Sequence, residues 1–273
     1  MFLRRLAVFF LILFSFSLEA QDKTEVLFKR HYAHLEYRLT FVPQETNLRK
    51  SHLHVLKLES EWGFFPKVKI LFDLPFIYRN FTDNAGGSTL ALANPYAGIL
   101  WEFLSGIERD FPTFMYFESG VKFPVQGETS VSFKRTDLHL GLKILKEVYY
   151  FTLGSHAGYI LKWDHGTQKN HGNEFYSFLQ GIYHINPSLK LSLDFLFRWA
   201  GAYKDNSNSV ASQSIFILTP QLLYQLNPLW RVWGSLSFPL RDAQFNNIAL
   251  AFGDFESKGL LDFTYSIGVS YKF

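Results

Sequence analysis

The last eleven residues of the chain, FTYSIGVSYKF, alternate strictly between two kinds of side chain. The large apolar parity consists of Phe263, Tyr265, Ile267, Val269, Tyr271 and Phe273. The other parity holds only small or polar residues, from Thr264 to Lys272. A period of two is that of a β-strand, whose successive side chains point to opposite faces of a sheet. Such a strand either packs its apolar face on a protein core or turns it toward lipid.

The same alternation recurs along the rest of the chain. In 189–199 large apolar residues alternate with a second face of Lys190, Ser192, Asp194, Leu196 and Arg198. The other segments with this pattern are 35–41, 53–62, 67–78, 95–104, 114–123, 137–144, 149–160, 174–184, 214–225 and 230–240. Together with the terminal segment they make about twelve strands, most of them near the roughly 9–11 residues with which a tilted strand crosses a bilayer.

The connections between these segments alternate in length. Short turn signals lie at 63–67, 106–112, 146–147, 185–188 and 226–228, and longer polar stretches lie at 43–51, 79–94, 124–136, 161–173, 201–213 and 241–258. Long and short connections in turn predict an all-β fold, a transmembrane antiparallel up-and-down barrel of about twelve strands with both termini in the periplasm. A soluble β-sandwich or closed calyx would show the same alternation within its strands. The aromatic content of 18% favours the membrane barrel, which needs interfacial aromatic girdles.

The N-terminus has the layout of a secretory signal. Arg4 and Arg5 precede an apolar run that ends near Phe16, and Ala20 offers a small residue at a cleavage site. The run is shorter than the roughly 20 apolar residues of a membrane-spanning helix. We therefore predict a signal peptide at 1–20, a barrel domain at 21–273 and an outer-membrane location. The net charge of +3 comes from scattered residues, so no nucleic-acid partner is expected.

The terminal strand also resembles the C-terminal signal by which outer-membrane barrels are recognised for assembly. Its aromatic members are Phe263, Tyr265, Tyr271 and Phe273. The resemblance implies that periplasmic chaperones and the barrel-assembly machinery are partners, with outer-membrane lipid around the folded barrel.

Three segments share a proline near the outer end of a strand. They are FDLPFIY at 72–78, VKFPVQG at 121–127 and LSFPLRD at 236–242. Proline donates no hydrogen bond to a ladder and occurs at strand ends, bulges or edges. These prolines either terminate strand pairing or hold an inward-folded loop.

Charged residues occupy the polar parity of the predicted strands. The candidates for the lining of a lumen are Glu36, Arg38, Glu59, Lys69, Asp73, Glu102, Glu118, Lys122, His139, Lys143, Asp194, Arg198 and Arg231. Both signs of charge are present, which suits either a hydrated pore or an interior of ion pairs. A strongly ion-selective pore would show an excess of one sign.

The sequence offers no pattern of catalytic or metal-binding residues. The nine histidines lack the compact spacing with cysteines or carboxylates that structural zinc sites use. His139, His156 and His184 have Ser or Asp neighbours only on adjoining strands, and no Gly-x-Ser-x-Gly element occurs. We therefore predict no enzyme activity, no metal and no cofactor.

Four segments resemble the outer-membrane channel family grouped with the meta-pathway of phenol degradation. They are NPYAGILWEF at 94–103, ESGVKFPVQGE at 118–128, TDLHLGLKI at 136–144 and the closing GVSYKF. The resemblance implies a channel or transporter for small-molecule solutes, with hydrophobic or aromatic compounds as the candidate class. Two alternatives stay open: a barrel that displays surface loops such as 79–94 for a partner or for structural integrity, and an outer-membrane hydrolase, whose triad built across strands would leave little trace in sequence.

Overall fold

A computed structural model describes residues 31–42, 51–65, 67–81, 88–106, 112–125, 135–164, 171–204, 209–240 and 263–272. The predicted signal peptide lies outside the described residues. No helix in the described ranges is long and apolar enough to cross a membrane.

Fifteen strands form within the described residues. They are β1 (His31–Val42), β2 (Ser51–Phe65), β3 (Val68–Phe81), β4 (Ser88–Leu92), β5 (Tyr96–Ser105), β6 (Thr113–Lys122), β7 (Arg135–Val148), β8 (Phe151–Asp164), β9 (Glu174–His184), β10 (Leu189–Ala200), β11 (Tyr203–Lys204), β12 (Ser209–Val210), β13 (Gln213–Gln225), β14 (Trp230–Pro239) and β15 (Thr264–Lys272). The short pair β11 and β12 forms a separate hairpin, and β4 pairs only with the outer part of β3.

The other twelve strands close into a barrel, each antiparallel to its neighbours. Closure occurs because β1 pairs with β2 on one side and with β15 on the other. The predicted fold class is therefore confirmed. The short connections, such as 185–188 and 226–229, lie at one end, and the long ones lie at the other. In outer-membrane barrels the short turns face the periplasm.

One predicted turn is wrong. Lys146 and Glu147 lie within β7, and the chain reverses instead at Tyr149 and Tyr150, between the paired Val148 and Phe151. Tyr149 adopts a φ of 48°, a left-handed conformation that usually selects Gly, Asn or Asp. Because a tyrosine occupies this position, composition gave no sign of the turn.

Pro75 lies where β3 changes partner. The ladder with β5 ends at Asp73 opposite Tyr96, and the ladder with β4 begins at Phe76 opposite Leu92. The pairing shifts by one residue between the two ladders, and the Pro75 carbonyl accepts a hydrogen bond from the Ala93 N–H at 2.9 Å. Proline, which has no N–H to donate, thus lies at the break between the β3–β5 ladder and the β3–β4 ladder. This position fits the predicted role of interrupting strand pairing.

Exposed aromatic side chains form two bands on the outer surface. The band at the short-turn end contains Trp62, Tyr149, Tyr150, Tyr183, Tyr224 and Trp230, and the band at the long-loop end contains Trp163, Trp199 and Tyr265. Trp62 and Trp163 are 54% and 58% exposed, a state that would be costly in water. Tryptophan and tyrosine are enriched at the two interfaces of a bilayer, so the bands mark its edges.

The last strand presents most of its predicted assembly residues to the outside. Phe263 and Tyr265 are exposed, Phe263 contacts the Phe238 ring and Tyr271 contacts the Trp230 ring. Phe273 lies outside the described residues. The recognition of this strand by the assembly machinery stays a prediction.

Replacing Phe273 by serine is expected to impair assembly while leaving export intact, because the recognition signal loses its terminal aromatic residue. The measurement is the amount of barrel in the outer membrane that migrates differently before and after boiling. Lys272→Ser is the matched control, since Lys272 lies on the opposite parity of the same strand end. Equal amounts of assembled barrel for the two variants would show that Phe273 carries no signal.

Candidate functional site

The two parities of each strand face two different environments. Tyr37, Ile99 and Leu193 lie on the outer parity and are 39%, 51% and 51% exposed. Val55 and Ile160, on the inner parity, are buried. Because directly opposite residues share a face, the register carries this assignment around the closed ring. The candidate site is therefore the inner face of the barrel.

All thirteen residues predicted to line a lumen occupy inner-parity positions. Among the register partners, Glu59 lies opposite Asp73, and Glu102 lies opposite Tyr116. Arg38 occupies the position opposite Gly268. The alternation in the sequence thus assigned all thirteen residues to the same face of the sheet, the inner one.

A buried ion cluster spans β8, β9 and β10 near their outer ends. The Lys162 Nζ lies 3.0 Å from Glu174 Oε2, and both side chains are 1% exposed. The Arg198 Nε donates a hydrogen bond to Glu174 Oε1. One buried carboxylate therefore pairs with two cations, and removing one partner of a buried ion pair is strongly destabilising.

A second buried pair lies on the neighbouring strand. The Arg135 Nε donates to Asp137 Oδ1 at 2.8 Å, and its Nη2 donates to Oδ2 at 3.2 Å. Arg135 is 2% exposed and lies opposite Asp164, at the outer end of β8. The fork geometry of arginine suits such a bidentate contact.

The outer end of this wall is closed by a loop contact. His171 donates its backbone N–H and its ring Nδ1–H to the Asp164 carboxylate, at 2.9 Å and 2.8 Å. The His171 ring also contacts the ring of Tyr203, which is 1% exposed. The β11–β12 hairpin is thereby held against the outer end of β8.

Two hydrogen bonds and one longer histidine–carboxylate contact connect β5, β6, β8 and β9 further into the lumen. The Tyr96 hydroxyl donates to Glu118 Oε1 at 2.6 Å, and the other Glu118 oxygen lies 3.5 Å from His156 Nε2. His156 Nε2 in turn lies 3.0 Å from the Tyr176 hydroxyl. Two tyrosines, one carboxylate and one imidazole therefore form a continuous polar band on the inner wall.

The two tyrosine rings of this band lie against the wall because glycines leave room for them. A Cβ at Gly120 would lie 2.3 Å from the Tyr96 hydroxyl, and one at Gly158 would lie 2.5 Å from the Tyr176 hydroxyl. Gly98 and Gly141 are the register partners of these two glycines. The rings cover bare backbone instead of crossing the lumen, an aromatic–glycine pairing across neighbouring strands.

The adjoining part of the wall, on β2 and β3, carries half-buried ion pairs. Lys57 contacts Glu59 and lies 3.4 Å from Asp73, and Lys69 Nζ lies 2.9 Å from Glu61 Oε2. The charges of this wall are thus paired with each other. The described part of the inner face carries both signs in mixture, without a wall of one sign.

Several members of these clusters were not predicted from the sequence. Arg135 and Lys162 were assigned to long loops, although the strands extend past them, and Glu174 was placed on a strand without a role. Tyr96 and Tyr176 carry no charge and therefore drew no attention. Continuing the alternation beyond the predicted strand ends would have found the two cations.

The histidines do not assemble a metal site within the described residues, where no group of three or more metal-ligating side chains occurs. Of the three candidate catalytic histidines, His156 belongs to the tyrosine network and His184 Nε2 lies 2.9 Å from the Thr152 hydroxyl. The His139 ring packs edge-on against Tyr96. None of these contacts joins a histidine to both a serine or threonine hydroxyl and a carboxylate.

The fold is similar to those of known outer-membrane proteins. The COG4313 outer membrane channel from Pseudomonas putida F1 matches with a TM-score of 0.65 at 10% identity, over 89% of this chain and 95% of that one. The NanC porin matches with a TM-score of 0.53 at 13% identity, over 88% of this chain and 100% of that one. No family profile and no curated protein sequence matches the chain.

Closed strands, aromatic bands and these similarities together define an outer-membrane β-barrel. The resemblance to outer-membrane channels drawn from the sequence is confirmed at the level of the fold.

Proposed function

We propose that the protein is a channel through which small molecules cross the outer membrane. The observation that carries the proposal is the inner face, where charged groups are paired laterally and two tyrosine rings lie along the wall. Side chains that pair with each other along the wall do not extend across the barrel, so the space around the barrel axis is open to water and solute. The thirteen inner-parity residues predicted from the sequence are proposed to line this path.

The proposed solutes are small aromatic or hydrophobic compounds. Tyr96, Tyr176 and Trp233 present rings on the inner face, and Trp233 lies over Gly268, where a Cβ would be 2.3 Å from the ring. Rings stacked on the wall offer flat apolar surfaces beside hydrogen-bonding groups, a combination that suits amphipathic aromatic solutes. Such a channel performs no covalent chemistry and uses no cofactor.

The test is the single-channel conductance of the refolded protein in a planar bilayer. We expect steady current steps with weak ion selectivity, because the described inner face mixes both signs of charge. Phenol is expected to reduce the current more than glucose does. A barrel that is folded, as judged by its heat-modifiable migration, but carries no current would overturn the proposal.

A matched pair of variants tests whether the current runs through the lumen. Ser235 faces inward between Gln221 and Ser266, and its neighbour Leu236 faces outward and is 42% exposed. Ser235→Trp places a large ring in the lumen and is expected to lower the conductance. Leu236→Trp places the same ring in lipid and is expected to leave it unchanged. Equal conductances would contradict a path through the barrel.

A further inference from the structure

One row of inner-face residues crosses β9, β10, β13, β14 and β15 at mid-height. Gln180 is the register partner of Asp194, which lies opposite Thr219 on its other side. The Thr219 hydroxyl lies 3.0 Å from the Ser237 hydroxyl, and Thr264 completes the row as the register partner of Ser237. All five positions of this row are described, and Asp194 alone carries a charge.

The two rows that flank Asp194 on these strands are also uncharged. The row on the periplasmic side consists of Ile182, Ser192, Gln221, Ser235 and Ser266. The row on the outer side is apolar where it crosses β9, β10 and β13, with Phe178, Leu196 and Ile217. The inner-face cations of β10, Lys190 and Arg198, are each four positions from Asp194, about 13 Å along a strand. Arg198 is bound to Glu174.

The hydrogen bonds that Asp194 accepts within the protein come from neutral groups. Gln180 Nε2 donates to Oδ1 at 2.9 Å, and Ser192 Oγ donates to the same oxygen at 2.6 Å. The two bonds fix the orientation of the carboxylate without neutralising it. Among the described residues none donates to Oδ2, which is therefore the oxygen that a solute can reach. A half-buried carboxylate without a counter-ion is stabilised by any cation that comes beside it.

An apolar surface adjoins this carboxylate. Phe178 is the diagonal neighbour of Asp194 across the β9–β10 ladder, and Leu196 is the next residue of β10 on the inner face. Diagonal neighbours in a sheet lie roughly 7–8 Å apart, within reach of an aromatic side chain. A flat ring that packs on Phe178 and Leu196 would therefore place a group on a short side chain beside Asp194.

We propose that Asp194 and the adjoining apolar row bind aromatic compounds that carry a protonated amine. The ring of the solute packs on Phe178 and Leu196, and its ammonium group donates a charge-assisted hydrogen bond to Asp194 Oδ2. The proposal names a solute class for the proposed channel and therefore rests on that function, because the solute must enter the lumen.

The experiment measures the affinity of the refolded barrel in detergent micelles for phenethylamine and for phenethyl alcohol, by ligand-observed NMR titration at neutral pH. The two ligands share a ring and a chain length and differ in charge. The wild-type barrel is expected to bind the amine about tenfold more tightly than the alcohol, the scale of one charge-assisted hydrogen bond. Asp194→Asn keeps the shape of the side chain and is expected to abolish the preference for the amine without changing the affinity for the alcohol. Phe178→Leu is expected to weaken the binding of both ligands.

Glu147→Gln is the matched control. Glu147 is an exposed carboxylate on the same face of the barrel, at the turn end of β7, and its replacement makes the same change of charge. This variant is expected to keep the wild-type preference for the amine, and uptake of ligand by the micelles is equal in all samples. Equal preference in wild type, Asp194→Asn and Glu147→Gln, each shown to be folded by heat-modifiable migration, would overturn the proposal, as would a wild type that binds both ligands equally.

The outcome for the binding site can be told apart from the outcome for the channel, because no current is measured. A barrel that conducts but shows no preference for the amine would refute the solute class alone. A barrel that binds the amine through Asp194 but carries no current would confirm the site and contradict the proposed channel.

Discussion

Replacing Glu174 by alanine is expected to lower the free energy of unfolding by roughly 3–5 kcal/mol, because the buried Lys162 and the partly buried Arg198 lose the carboxylate they share. Lys162 and Arg198 contact the two oxygens of this one group, and its side chain is 1% exposed. The measurement is the midpoint of denaturant unfolding in lipid vesicles.

The control for this prediction is Glu147→Ala. Glu147 is an exposed carboxylate at the turn end of β7, and its removal is expected to change stability by no more than about 0.5 kcal/mol. The triple variant Lys162→Met, Glu174→Leu, Arg198→Met is expected to recover most of the lost stability, since an apolar replacement needs no counter-ions. If Glu174→Ala unfolds at the same denaturant concentration as Glu147→Ala, the cluster does not stabilise the barrel.

Replacing Gly120 by alanine is expected to destabilise the barrel by roughly 1–3 kcal/mol, the usual cost of overpacking. The added Cβ would lie 2.3 Å from the Tyr96 hydroxyl and 2.5 Å from Cε2, so the ring must leave the wall. Displacement also breaks the hydrogen bond from Tyr96 to Glu118. The displaced ring enters the lumen, and the conductance is expected to fall with the stability.

A double-mutant cycle separates this steric effect from others. Tyr96→Ala removes the ring, so Gly120→Ala is expected to cost almost nothing in that background. Gly181→Ala, where a Cβ meets no atom, is the control for a glycine substitution in a strand. Additive effects of Tyr96→Ala and Gly120→Ala would show that the ring does not rest on Gly120.

The strands could be predicted from the sequence because alternation is a local signal. It arises because successive side chains of a strand face the membrane and the barrel interior in turn. Each predicted segment overlaps an observed barrel strand, and 174–184 coincides with β9. The turn at Tyr149 escaped prediction because its left-handed residue is not one that usually marks such a conformation. Loss of pairing was one of the two roles predicted for Pro75, whereas the short strand β4 beyond it was not predicted.

The clusters of the candidate site could be predicted only in part. Alternation assigns a residue to a face, whereas a contact depends on which strands are neighbours and on their register. Glu174 meets Arg198 across 24 positions of sequence, and Tyr96 meets Glu118 across 22.

Strict alternation has a consequence for how such a protein changes over generations. Except at the register shifts near Gly63 and Glu102, adjacent positions along a strand face opposite sides of the wall, one the interior and the other the membrane. Substitutions at inner positions such as Tyr96, Glu118 or Tyr176 therefore leave the membrane-facing surface unchanged. Substitutions in the aromatic bands, which adapt the barrel to a membrane of another thickness or composition, likewise leave the inner face unchanged. The inner face and the outer face can therefore evolve independently in one chain.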